Sequence, residues 1–170
     1  MLAEIGGKKM QRMNKNMTNI LEQIEQEKSN VITVLPKEMH NLIFPNIKQI
    51  HDCIIIDNKN EISEQMVDYD RIIAMHGDRT GYEASCNEVR INDYIQKGGE
   101  FDVIRLANII IEGWKYKLKK EYPQRTFCIG LTCNKGYVTL RFYTCRDTEK
   151  GWLLQDLEGY QDEAILEEVF

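Results

Sequence analysis

Ile104, Ala107, Ile111, Trp114 and Leu118 recur at spacings of three and four, which places them on one stripe of a single helix. Val103, Leu106 and Ile110 widen that stripe, so the first half of the helix is expected to be buried nearly all round. Asp102 stands where it can cap the start and Pro123 ends the run, giving a predicted helix over about 102–122. A helix with so broad an apolar face has to bury it against a second layer.

That layer follows directly in the chain. Phe127, Ile129, Leu131 and Cys133 share one face of a predicted strand, and Val138, Leu140 and Phe142 share one face of the next. Asn134-Lys135-Gly136 supplies the turn, with Gly136 free to take positive φ, so a β-hairpin is predicted over about 125–146. The opposite face carries Cys128, Gly130, Thr132, Thr139, Arg141 and Tyr143, and is expected to be partly solvated. The fold class is therefore α+β: an antiparallel sheet with the long helix packed on one face.

Upstream the pattern is more broken. Ile20, Leu21 and Ile24 predict a short helix over 19–27, and Val31–Leu35 reads as a strand stopped by Pro36. The stretch 37–50 is irregular and contains Pro45. Cys53–Ile56 reads as a short buried strand running into a polar turn at 57–60, and Ser63 is placed to cap a short helix through Tyr69. Segments 71–75 and 82–91 read as two strands joined by the turn-rich 76–81. The alternation changes parity between Cys86 and Val89, which predicts a bulge near Asn87. The whole of 1–170 is expected to be one domain, with roughly the first fifteen residues frayed.

Composition removes several classes of function. An apolar fraction of 42% with 29% charged residues is that of a globular chain, not a disordered one. Apolar runs such as 53–56 and 109–111 are far too short to span a bilayer. Met1–Met17 carries lysines but no apolar core or small-residue cleavage site, so a cytoplasmic location is expected. Five cysteines, at 53, 86, 128, 133 and 145, form an odd set without regular spacing and read as reduced thiols. His40, His51 and His76 stand in no zinc-site pattern, and neither metal nor cofactor is expected.

His76, Asp78, Glu83 and Glu88 are the candidates for general acid–base chemistry, since a histidine beside a carboxylate is what such work requires. Strand parity, however, sends Glu83 and Glu88 to opposite faces, and His-Gly-Asp is also an ordinary turn composition. A hydrolase-like enzyme using this region is the alternative reading. No serine or cysteine lies in a nucleophile elbow, and there is no glycine-rich phosphate loop. The basic cluster from Lys115 to Arg125 could touch phosphate, but it reads rather as a solvated helix face favoured by the dipole, able to pair with the acidic C-terminal segment.

Charge is concentrated at the C-terminus. From Asp147 onward eight acids stand against the single base Lys150, a local charge of −7, which leaves +2 for the first 146 residues of a chain whose net charge is −5. That balance argues against nucleic acid as a partner and permits a basic protein. Trp152, Leu153, Leu154, Leu157, Tyr160, Ile165 and Leu166 are interleaved with the acids, so 152–157 and 163–169 are expected to be ordered elements packed on the body. The candidate partner-binding residues are Asp147, Glu149, Trp152, Asp156, Glu158, Tyr160, Asp162, Glu163, Glu167 and Glu168. A self-associating structural subunit is a third reading.

Three stretches carry a resemblance to known proteins: Glu83 to Tyr94, then Trp114-Lys115-Tyr116-Lys117-Leu118-Lys119 with Tyr122-Pro123, then Arg141-Phe142-Tyr143. Over about the last 90 residues the chain resembles small bacterial immunity proteins encoded beside polymorphic toxins of contact-dependent or secreted type. The resemblance implies a cytoplasmic protein that binds and blocks a cognate toxin domain, and it carries over no catalytic residues.

Overall fold

A computed structural model describes residues 10–27, 39–95 and 99–170. Its centre is a five-stranded antiparallel sheet built from β1 (Met10–Met13), β4 (Val89–Arg90), β5 (Phe127–Asn134), β6 (Tyr137–Thr144) and β7 (Ala164–Val169), in the order β1-β7-β5-β6-β4. Two further strands, β2 (Ile47–Ile50) and β3 (Cys53–Ile56), form a separate hairpin. The helices are α1 (Lys15–Gln26), α2 (His40–Ile43), α3 (Tyr69–His76), α4 (Arg79–Cys86) and α5 (Glu100–Glu121).

The β5–β6 hairpin turns through Lys135 and Gly136, both at positive φ (50° and 81°), with Asn134 paired to Tyr137. Two such residues make the tight turn whose twist matches that of the flanking strands. α5 lies across the inner face, where Trp114, wholly buried, meets Phe142 edge-on at 5.4 Å between ring centres. All eight apolar residues of the predicted helix stripe are buried. α5 begins slightly earlier than the predicted 102: Gly99 is its cap, and Asp102 instead accepts the Gly99 N–H at 3.1 Å from inside the first turn.

α2 packs tightly on α5. The indole of Trp114 donates to the carbonyl of Leu42 at 2.8 Å. A Cβ at Gly113 would come within 2.5 Å of both the carbonyl oxygen and Cγ2 of Ile43, so only glycine allows this approach. At the other end of the sheet, Asn14 caps α1 by accepting the Met17 N–H, accepts the Ile165 N–H at 2.9 Å, and donates to the Glu163 carbonyl at 2.7 Å. One buried amide thus ties β1 and α1 to β7.

Several expectations need correction. Met10–Met13 is not frayed but pairs with Val169 to Leu166 as an edge strand, residues 1–9 lying outside the described set. The predicted strand at 31–35 also lies outside it. Segments 71–75 and 82–91 are mainly helical, because Asp68 and Asp78 accept the N–H groups of Arg71 and Gly81 as caps, and Gly77 at φ 85° separates the two helices. Only Val89–Arg90 is strand, and Asn87 is the cap ending α4, not a bulge. The stretch 37–50 holds α2 and β2 on either side of Pro45, and Ser63 precedes only a single 3-10 turn, Glu64–Met66. The outer sheet face is less solvated than predicted: Cys128, Gly130 and Tyr143 are buried there. The segment between β6 and β7 crosses that face, and its Leu153 and Leu157 pack with Ile165.

Candidate functional site

The outer face of the sheet and the segment that crosses it, residues 145–163, enclose a cleft of about 260 Å³. Strand alternation determines what lines it. Along β7, Ile165, Glu167 and Val169 point outward, whereas Leu166 and Glu168 point toward α5. Glu167 therefore enters the cleft beside Arg12, Cys128 and Tyr143, with Cys145 and Glu149 contributed by the start of the crossing segment.

Glu167 is buried, accepts from the Arg12 guanidinium, and accepts the Tyr143 hydroxyl at 3.2 Å. Burial, reinforced by neighbouring Cys128, pushes the Tyr143 phenol well up, and burial likewise pushes the Cys128 thiol up. Cys145 is pushed up to about 11, by burial first and then by Glu167 and Glu83. At neutral pH these groups are protonated, so the cleft offers hydrogen-bonding groups and no thiolate nucleophile. Among the described residues, no three or more His, Cys, Asp or Glu side chains stand close enough to hold a metal ion.

Beside the cleft lies a cluster of charges that the sequence did not single out as a unit. Asp52 accepts from Arg79 at 2.8 Å and from Arg125 at 2.9 Å, and its carbonyl accepts from Arg146 at 2.8 Å. Arg146 also grips Glu83, and Arg79 grips Glu149, whose other oxygen accepts the Thr80 N–H and hydroxyl. Three arginines thus meet three carboxylates.

The four acid–base candidates are not brought together. Asp78 caps α4, Glu88 pairs with Arg141 at 2.8 Å, and the His76 ring packs against Tyr82 at 5.6 Å between centres. Glu83 is fully buried, accepting the N–H groups of Ile54 and Thr144 as well as Arg146.

The ten candidate partner-binding residues divide by exposure. Glu167 and Glu168 are buried, the latter against Lys115 at 2.7 Å, which realises the lysine–tail pairing foreseen for the helix face. Glu149 is held by Arg79, and half-buried Glu163 accepts from Asn134. Half-buried Tyr160 accepts the Leu154 N–H through its hydroxyl at 3.2 Å. Asp147, Trp152, Asp156, Glu158 and Asp162 are exposed. Leu154 joins them at 54% exposure, a residue the sequence could not separate from its buried neighbour Leu153.

The crossing segment is held in place along its length. Arg12 donates to the carbonyls of Leu154 and Gln155, and the Arg141 guanidinium lies 5.1 Å from the centre of the Trp152 ring. Glu158 accepts the Lys15 N–H at 2.9 Å, and Asp156 accepts the Glu158 N–H at 3.1 Å.

Among the described residues no helix is long and apolar enough to cross a membrane. No curated protein and no solved structure matches the chain. A family model described as "Uncharacterized protein PM0498 family" matches residues 12–169, nearly the whole length, and the chain belongs to that family.

Proposed function

We propose that this chain is a binding protein, an immunity-type inhibitor that engages a basic domain of a cognate toxin through residues 147–162. The observation that carries the reading is the pairing of two exposed apolar side chains, Trp152 and Leu154, with the exposed carboxylates of Asp147, Asp156, Glu158 and Asp162. An exposed aromatic side chain makes a strong central anchor, and carboxylates around it suit the polar rim of a contact. Because Arg12, Arg141 and Tyr160 already hold the segment, little conformational freedom is lost on docking. The carboxylates would speed encounter with a basic surface, and the apolar pair would slow release. A cytoplasmic location belongs to the same reading.

The test is calorimetric titration of the purified protein against the product of the gene beside its own. Trp152→Ala with Leu154→Ala should weaken binding by about 100-fold or more. In stopped-flow mixing of the same pair, Asp156→Lys with Asp162→Lys should mainly slow association and reduce its dependence on salt. Absence of binding, or of a toxin gene beside it, would sink the inhibitor reading.

A further inference from the structure

The face of α5 turned away from the sheet has the composition of a second interface. Ile109, Glu112, Tyr116 and Lys120 form an exposed row at spacings of three and four, with Tyr116 62% exposed. Phe44 of the loop after α2 stands beside it, meeting the Tyr116 ring edge-on at 6.4 Å between centres, and the His40 ring follows at 5.6 Å from Phe44. The Lys120 ammonium lies 5.8 Å from the Tyr116 ring centre. This row lies on α5, not on the crossing segment, and does not depend on the inhibitor reading.

We propose that this row binds a second copy of the chain, with the two α5 helices antiparallel about a two-fold axis passing between the two Tyr116 side chains. The argument is self-complementarity. A two-fold contact sets residue i against j and j against i, so charges on the facing row favour self-pairing when they change sign across the axis. Glu112, which accepts from Lys115 of its own helix at 2.6 Å through one oxygen and is otherwise exposed, and Lys120 lie four residues to either side of Tyr116, about 6 Å along the helix in each direction. The rotation therefore sets Glu112 of each protomer against Lys120 of its partner, twice, around a central tyrosine pair. Phe44, held on the flank by the close contact of α2 at Gly113, widens the apolar strip. Any displacement of the axis by one turn loses both charge pairs and the aromatic centre together.

A single helix pair with flanking aromatics falls at the small end of specific interfaces, so the dimer is expected to form reversibly at micromolar concentrations. Sedimentation equilibrium from low to several hundred micromolar should show the mass rising from 20.0 kDa toward twice that value. Glu112→Lys sets lysine against lysine at both positions, and Lys120→Glu sets glutamate against glutamate. Each variant alone should associate about tenfold or more weakly. Mixed in equal amounts, they should form a heterodimer at close to the wild-type affinity, because both cross-pairs are again opposite in sign. Tyr116→Arg, at an exposed position, should abolish association while leaving a folded monomer with the wild-type circular dichroism spectrum. A wild-type protein that stays monomeric over the whole range overturns the proposal. So does a dimer that either charge reversal leaves intact, or a mixture that fails to recover association.

Discussion

Arg146 grips both carboxylate oxygens of Glu83, at 3.1 and 3.0 Å, where the glutamate has no contact with solvent. The pair sits at the junction of the two sheets. Glu83 also accepts the Ile54 N–H of β3 and the Thr144 N–H of β6, both at 2.6 Å. One turn further along the chain, Asn87 donates to the carbonyls of Ile54 and Phe142 and accepts the Ile56 N–H. Two side chains spaced four apart thus satisfy the facing edges of β3 and β6, where another protein would place a strand.

Glu83→Ala leaves the buried N–H groups of Ile54 and Thr144 without their acceptor and takes from Arg146 its two-pronged partner, leaving it the Asp52 carbonyl and more distant carboxylates. Removing one partner of a buried pair typically costs about 3–5 kcal/mol, and here the two orphaned strand N–H groups add to the lost contact with Arg146. The expected outcome is a loss of that size in urea unfolding, with faster hydrogen exchange at Ile54 and Thr144. A loss below about 1 kcal/mol would show that the junction is carried by other contacts.

Gly113→Ala tests the contact between α2 and α5. Alanine favours the helix by about 1 kcal/mol over glycine when it meets nothing. Here the added methyl meets the Ile43 backbone carbonyl, which cannot rotate away as a side chain would. The helix preference is therefore expected to be outweighed, with a net destabilisation of about 1–3 kcal/mol. The same shift should loosen the Trp114–Leu42 hydrogen bond and alter tryptophan fluorescence. A stabilised variant would mean that α2 lifts off without penalty.

The parts of the molecule governed by local rules were the legible ones. α5 followed from the spacing of its apolar stripe, and the β5–β6 hairpin followed from Lys135-Gly136 between two alternating runs. α4 was not legible as a helix, because Tyr82, Ala84 and Cys86 imitate strand alternation and the decisive signal was the Asp78 cap. The role of Glu83 could not be read at all: its partners lie 29 and 61 residues away. The acidic tail was legible as an ordered and apolar-backed segment. The fate of each carboxylate was not, since Glu167 and Glu168 are neighbours that strand geometry sends to opposite faces, one to Arg12 and one to Lys115.

Acid should weaken the protein partly through Glu149. Burial acts to raise this carboxyl, but the Arg79 guanidinium, the Thr80 hydroxyl and N–H, and nearby Arg146 together hold it below its ordinary 4.5. A carboxylate depressed in the folded state binds a proton more readily when unfolded, so its contribution is complete above pH 4.5 and is lost as pH falls toward the folded value. Asp57 acts in the same direction below 3.8: burial again opposes, and the N–H groups of Ile62 and Glu61 with the Lys48 charge prevail. Unfolding free energy measured against pH should therefore fall through this acid window. In Glu149→Gln the neutral-pH stability should be lower and the acid decline shallower, because a group that no longer titrates cannot lose its contribution. Equal slopes for the two proteins would show that the Arg79–Glu149 contact adds nothing to folding.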